Sequence, residues 1–522
     1  MSDFKIKNGI LKKYSGKEAV VTVPDGVVKI GKGAFEYDDF IQSITLPEGV
    51  RIIEKGAFTS CYLLTDVIFP DSLERIEEEA FYDCIALSSV SFGDKLEYIE
   101  KNAFEGCRQL SSFSVSEGNP YYKSADGDLY TKNGDTLLWY ALGQCRKEFT
   151  VPDGVKHIGE YSFWHDKCIE RVVFPAGLET IGDKAFTDCT ELKSASLPDT
   201  VTSIGYMAFY SCSQLTNVIF PSGLTFIDGN AFCKCTALTS VVIPEGITEI
   251  KRGTFEGCTA LIGVTLPKTV EKIGDNAFSL CNIKNITLPK RLKNIERMAF
   301  SSTELENVII PEGVIETATD VFYNCKSLKS IVFPNSLKMI ADGICSVCTA
   351  LETVTLGNAV TEIGEGAFYN CNELRSINIP DTVTEIRYDA FRNCDEVEEV
   401  RIGVKNLDYS ELTDSMKEAG IKYCLSCSDR GILSASENVE LENFIRSSLK
   451  TENFMKFAMG NLPSAIADYA PFARFITARR IVDAKRAEQI MTLTDDAECK
   501  VILLNYINDN RTSLGDTSKF EI

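Results

Sequence analysis

A chain of 522 residues with 44% hydrophobic and 25% charged residues has the composition of a folded protein, which excludes wholesale disorder. Its 54 Lys and Arg against 75 Asp and Glu give a formal net charge of −21. That charge repels phosphate backbones and anionic lipid, and so argues against nucleic acid or a membrane surface as partner. No stretch approaches the roughly 20 apolar residues that span a bilayer. The opening Met1-Ser2-Asp3-Phe4-Lys5 begins no signal-peptide run, so a cytoplasmic location is expected, with the cell surface or secretion by a non-classical route as the alternative.

In chain order, residues 1–20 predict an N-terminal β-hairpin cap, with Phe4, Ile6, Ile10 and Leu11 around the turn dipeptide Asn8-Gly9. Residues 21–402 then repeat. Residues 185–207 read AFTDCTELKSASLPDTVTSIGYM, residues 208–230 read AFYSCSQLTNVIFPSGLTFIDGN, and residues 231–253 read AFCKCTALTSVVIPEGITEIKRG, each 23 residues long. The Phe alone tracks the register: Phe35, Phe58, Phe81 and Phe104, then Phe163, Phe186, Phe209, Phe232, Phe255, Phe278, Phe300, Phe322, Phe368 and Phe391, with Ile344 standing in once, for 15 units. Two apolar positions spaced two apart predict a short strand with alternate side chains buried. The Pro that follows (Pro198, Pro221, Pro244) lacks an N–H and ends it. The later Ile, the Ala-Phe pair and the Cys point inward. One unit cannot bury that many apolar groups, so they are buried by stacking on the next.

The shared frame A-F-x-x-C-x-x-L-x-x-V-x-[IFL]-P resembles the BspA-type, or Treponema pallidum-type, class of leucine-rich repeats over about residues 20–402. The resemblance implies a right-handed, mostly β leucine-rich-repeat solenoid with a concave parallel β-sheet. It also implies a binding function. Members of the class are best known as bacterial or protozoan surface proteins that bind host or matrix proteins. A surface or secreted adhesin is therefore the alternative to an intracellular protein-interaction scaffold.

The repeat is interrupted once, by an insert at about 116–148. There Asp126-Gly127 and Asn133-Gly134 predict one or two hairpins, and Tyr121, Tyr122, Tyr130, Trp139 and Tyr140 concentrate aromatic side chains. Local packing is the expected use of these rings, with a binding loop as the alternative. After a connector over 403–435, the periodicity becomes helical and predicts a C-terminal helical domain over 436–522. Helices are expected at 452–460, 472–481, 484–493 and 497–507, with Asp483 and Asp495 as N-caps. Arg474, Arg479, Arg480, Lys485 and Arg486 form a basic cluster that reads as a solvated helix face.

Candidate chemistry is sparse. Cys61, Cys84, Cys107, Cys189, Cys212, Cys235, Cys258, Cys281, Cys325, Cys348, Cys371 and Cys394 share one repeat position, which Asp38, Asp166 and Thr303 take in three units. Small buried residues donating a weak S–H bond explain this ladder better than a metal or disulfide framework. The 19 cysteines are an odd number, and Cys424-x-x-Cys427 has no second ligand pair. The two histidines, His157 and His165, join no nucleophile, metal or nucleotide motif, and His157 reads as a surface loop residue. No enzymatic activity and no cofactor are expected. The outward strand positions are free of packing constraint, so a protein-binding face is expected at Arg171, Val173, Asn217, Ile219, Ser240, Val242, Thr265, Asn285, Thr287, Asn307, Ile309 and Val332, with an acidic edge at positions such as Asp71, Asp199 and Glu245. The partner would be a protein, and the sequence leaves the oligomeric state open.

Overall fold

The computed structural model describes residues 3–402, Met416, Leu441, 470–478, Val482, Ala487, Glu488, Ile490, Met491 and 497–512. The chain forms two compact units, Met1–Glu304 and Leu305–Ile522. The first opens with an antiparallel hairpin, Phe4–Lys7 on Ile10–Tyr14, turning through Asn8 and Gly9 at φ 52° and 72°. Its second strand starts a parallel ladder by pairing with Lys29–Ile30, so no apolar coil edge is left bare at this end.

Nearly every coil then contributes two short strands, where the sequence pattern predicts one. The first is the expected three-residue strand. In Asn217–Ile219, Val218 is buried between exposed Asn217 and Ile219, and Val218 faces Ala195 in the preceding coil. The second has two residues and ends on the repeat Ile. Ile204 pairs with Ile227 in a separate parallel ladder. Two residues are too few to display a period, so only the inward Ile was visible in advance.

The Phe residues close the core between the ladders. Phe35, Phe58, Phe81 and Phe104 stack with centroids 4.9, 5.0 and 5.2 Å apart and planes within 6°. Phe186, Phe209 and Phe232 stack at 5.1 and 5.2 Å. The spacing matches the roughly 4.8 Å rise between paired strands, so rings and backbone advance together. Left-handed residues flank nearly every Phe: Met207 and Ser211 around Phe209 have φ 54° and 57°. They aim three alternate amides at the following coil: Met207 N donates to Gly229 O, Phe209 N to Ala231 O and Ser211 N to Cys233 O, at 3.1, 2.8 and 2.8 Å. The geometry is demanding enough to hold Leu280 and Val347 at φ 62° and 63°, a conformation that costs a side-chain-bearing residue about 1–2 kcal/mol.

The second unit repeats this plan over 305–402. Asn307–Ile309, Ser330–Val332, Thr353–Thr355, Ser376–Ile379 and Glu399–Ile402 pair in sequence order. Ile344 does not stand in for the missing Phe: it takes the Ala position, accepting from Phe322 N at 2.8 Å as Ala231 does from Phe209 N. Cys345, 23 residues from both Phe322 and Phe368, takes the Phe position, donating to Ala367 O at 2.9 Å and accepting from Cys371 Sγ at 3.2 Å. Helices Ala470–Ala478 and Ala497–Thr512 pack on each other, burying Ala473, Ile476, Cys499, Leu503 and Ile507. The expected connector apart from Met416, the helix at 452–460, most of that at 484–493, both N-cap aspartates and Cys424-x-x-Cys427 lie outside the described residues.

The insert is a meander of three antiparallel strands, Tyr122–Ala125, Asp128–Thr131 and Thr136–Trp139. Its last strand runs parallel to His157–Ile158 and starts the second ladder afresh, with Leu137 opposite Ile158. Tyr140 takes the Phe position and stacks on Phe163 at 4.6 Å. The insert therefore stands in for a coil.

Candidate binding surface and the seam

The outward side of the three-residue ladder gathers most of the predicted face. In the first unit Arg171, Asn217, Ile219, Ser240, Val242 and Thr265 are exposed and Val173 is half-buried. Arg171 stands opposite Ser194, and Ser194 opposite Asn217, while the strands of Asn217 and Ser240 are neighbours. Ile219 and Val242 are 59% and 67% exposed. Arg171 is tied to Glu148 at 3.0 Å. In the second unit Ile309 is 72% exposed, Ser330 donates to Asn307 at 2.6 Å, and Val332 is half-buried.

Asn285 and Thr287 depart from the expectation. Both are exposed, but 282–290 forms no strand. This coil is one residue short, and Ile283 has moved into the buried Leu position. The same shortening precedes Asn307–Ile309, which keeps its strand. Ile286 is half-buried, as is Val264 in the preceding coil, which keeps its strand. The acidic edge is partly structural: Glu48 accepts from Asp71 N, Glu245 from Lys268 N and Glu312 from Asn335 N, at 3.1, 3.1 and 2.9 Å.

The cysteine ladder is a coil-to-coil fastening. Cys212 Sγ donates to Phe186 O and Cys235 Sγ to Phe209 O, each at 3.1 Å. Burial pushes these thiols up, Cys281 to about 12 and Cys189, Cys235 and Cys258 well above the ordinary value, which makes them inert. Asp38 and Asp166 serve their own turns instead: Asp166 Oδ1 accepts from Cys168 N and Ile169 N at 2.6 and 2.9 Å. Thr303 donates to Phe300 O at 2.8 Å. No cluster of three potential ligands is placed to hold a metal among the described residues.

One pair escaped the sequence reading. Cys145 and Cys168 form a disulfide, Cα to Cα 5.1 Å, across 23 residues. The separation, one repeat length, was the available signal. His157 also differs from expectation: it lies half-buried on a two-residue strand, Nδ1 2.9 Å from Thr180 Oγ1. His165 occupies a left-handed position at φ 63°, 3.4 Å from Asp188, and burial lowers its pKa. Arg474 is paired with Glu498 at 2.7 Å, and Arg479, Arg480, Lys485 and Arg486 lie outside the described residues.

The disulfide belongs to a seam within the first unit, where the Phe104 coil meets the insert and the Phe163 coil. The three-residue ladder ends at Ser112–Val115 and a new one starts at Glu148–Thr150. Phe104 meets Trp139 edge-on at 6.0 Å instead of a stacked Phe. Arg146 ties the junction together. It donates to the buried Asp128 at 2.8 Å and to Asp126 O at 2.7 Å, and it lies over the Tyr140 and Phe149 rings at 4.9 and 5.1 Å. A narrow crevice of about 10 Å³, room for about one water molecule, remains, lined by Glu105, Trp139, Tyr140, Tyr161, Ser162 and Trp164 among others. Burial raises Glu105 to about 7, with Lys184 pulling it down and Glu79 and Asp83 pushing it further up.

Two ladders of short parallel strands, closed by a column of stacked Phe and repeated every 23 residues, define a leucine-rich-repeat solenoid. The family model described as BspA type leucine rich repeat region matches residues 6–125, 140–262, 253–371 and 339–458, and the chain belongs to that family. No curated protein matches the chain. Among solved structures, a leucine-rich repeat protein from Eubacterium ventriosum is 24% identical over 57% of this chain and 88% of its own, with a TM-score of 0.50. One from Bacteroides ovatus is 22% identical over 78% and 93%, TM-score 0.42. A leucine rich cell surface protein from Faecalibacterium prausnitzii is 26% identical over 58% and 98%, TM-score 0.35. Solenoids of this kind are generally non-enzymatic, and no helix among the described residues is long and apolar enough to cross a membrane.

Proposed function

We propose that the chain is a non-enzymatic protein–protein interaction scaffold that uses the outward side of its three-residue strands as the contact surface. The observation that carries this reading is the exposure of Ile219 and Val242, at 59% and 67%, on neighbouring strands. Both sit between small polar side chains on a rigid frame. Apolar groups held in water on a flat sheet gain by covering, and no packing within the coil requires them there. The test is affinity capture from the native cell with the full chain and with Ile219→Glu/Val242→Glu. A protein retained by the native chain and lost by the double variant supports the reading. Equal retention by both refutes this face as the contact surface.

The disulfide favours a second reading for location, since exposed disulfides persist in oxidising compartments. On that reading the chain is a surface or secreted binding protein, and its partner is a host or matrix protein. Fractionation with thiol-specific tagging decides: a strictly cytosolic pool with Cys145 and Cys168 reduced sinks it.

A further inference from the structure

We propose that the bare edge of the first three-residue strand, Val20–Thr22, takes an extended, acidic segment of a protein partner as an added β-strand. This site is separate from the Ile219/Val242 face and names a second mode of contact beyond it. The N-terminal hairpin closes the apolar interior but continues one ladder only. Its strand Ile10–Tyr14 pairs with Lys29–Ile30 in the second ladder, and Tyr14 takes the column position 5.2 Å from Phe35. Val20–Thr22 pairs with Ser43–Thr45 and, among the described residues, with no other strand. The place that a preceding coil's three-residue strand would fill therefore holds none of the described strands.

The hydrogen bonds fix which groups face that place. Ser43 N donates to Ala19 O and Val23 N to Thr45 O, each at 3.0 Å. Alternate residues of a strand point their N–H and C=O to opposite sides. Ala19, Val21 and Val23 thus spend theirs on the next coil, and Val20 and Thr22 present two N–H and two C=O groups the other way. Both residues are exposed, Val20 at 72%. The ladder ends at the seam are guarded instead. The insert covers the edge of Ser112–Val115, where Phe113 N donates to Gly127 O and Ser111 O accepts from Gln144 Nε2, both at 2.8 Å. In Glu148–Thr150 the place of Val20 is held by Glu148, paired with Arg171. Covering loops and charges are what blunt a sheet edge, and Val20–Thr22 has no charge, proline or bulge within it. Charge then names the partner. Through Lys32 the chain carries seven lysines against Asp3, Glu18 and Asp25, in a protein of net −21. None of the seven forms an ion pair among the described residues. Such an end repels the same end of a second copy and draws an acidic segment. In strand addition the main-chain bonds supply affinity and the flanking side chains supply choice.

The test is single-amide hydrogen exchange on the full chain with millimolar acetyl-Glu-Asp-Val-Thr-Val-Asp-Glu-amide, and with acetyl-Lys-Lys-Val-Thr-Val-Lys-Lys-amide as its opposite. Val20 and Thr22 should exchange freely in the chain alone and slow by about tenfold at saturating acidic peptide, as newly bonded amides do. Val21 and Val23, already bonded to the next coil, should be slow throughout, and the Lys peptide should change nothing. Val20→Pro removes an outward N–H at the first residue of an edge strand, where proline is tolerated, and should abolish the protection of Thr22. Its urea midpoint, expected to match the native one, checks the fold. Two further variants carry the test if that midpoint falls. Val20→Asp should weaken and Val20→Lys tighten acidic-peptide binding, each by about threefold for one exposed charge. Opposite signs at one position are a response that mere unfolding cannot give. No protection by the acidic peptide, equal protection by both peptides, or protection of Thr22 surviving in Val20→Pro each overturns the site. Protection that grows with the concentration of the chain alone, together with a doubled mass, makes the occupant a second copy and also overturns it. None of these touches the Ile219/Val242 capture result, so the two proposals fail separately.

Discussion

The coils from Phe186 to Phe278 and the seam between Phe104 and Phe163 are written in the same frame, but they differ in what closes each turn. In the regular coils each Phe ring and each left-handed amide finds its partner in the following coil, and each thiol finds its acceptor in the preceding one. Nothing polar is left over, and the only free chemistry is the outward strand face. At the seam the next repeat is absent. Closure is improvised from an edge-on Trp139, a guanidinium knot at Arg146, the disulfide and an ion pair from Lys101 to Glu160 at 2.6 Å. Periodicity pairs the groups of one coil with those of the next and so makes a frame, whereas the break in periodicity buries the Tyr140 and Ser162 hydroxyls without a partner among the described residues.

Four substitutions sharpen the contrast. Phe232→Ala, in the middle of the column and fully buried, should lose about 3–5 kcal/mol in urea unfolding. Arg146→Ala should cost about 3 kcal/mol, because it strands the Asp128 carboxylate, whose side chain is 1% accessible. Losing far less there would mean that stacking rather than the ion pair holds the seam. Glu105 gives a pH signature. Its folded pKa of about 7 lies above the ordinary 4.5, so its contribution is fully present below the ordinary value and is lost as pH rises through about 7. Glu105→Gln should therefore melt on the order of a few degrees higher than the native chain at pH 8 and alike at pH 4. A constant difference across that range would contradict the assignment. Tyr140→Phe removes a buried, unmatched hydroxyl and should be neutral or stabilising by up to about 1 kcal/mol, against the usual sign for a core substitution.

Much of the frame was legible because each coil reprints the same message. The buried Val, the inward Ile, the Phe column and the thiol donors could be assigned from any three neighbouring units. What was not legible lies below or outside that period. The strand ending at Ile227 is too short to alternate. The left-handed turns are held in many coils by Gly, Asn or Asp but in others by residues as unlike turn formers as Leu280 and Val347, so composition signals them only in part. Asn285 and Thr287 keep the right residue types but lie in a coil that forms no strand, and its length does not distinguish it from the equally short coil that holds Asn307–Ile309. Nothing in the order of the chain brings Glu105, Tyr140 and Ser162 to one cleft, since that requires knowing that the insert takes the place of a coil.

Hydrogen exchange resolved along the full chain tests this contrast most directly. The amides of Phe186, Phe209 and Phe232 donate to the following coil at 2.7, 2.8 and 2.9 Å and should be among the slowest, while 104–110 and 140–145 exchange at least about tenfold faster, as segments of lower local stability do. Uniform protection through both regions, or Phe209 exchanging as fast as the seam, would show that the break in the repeat is no break in the structure.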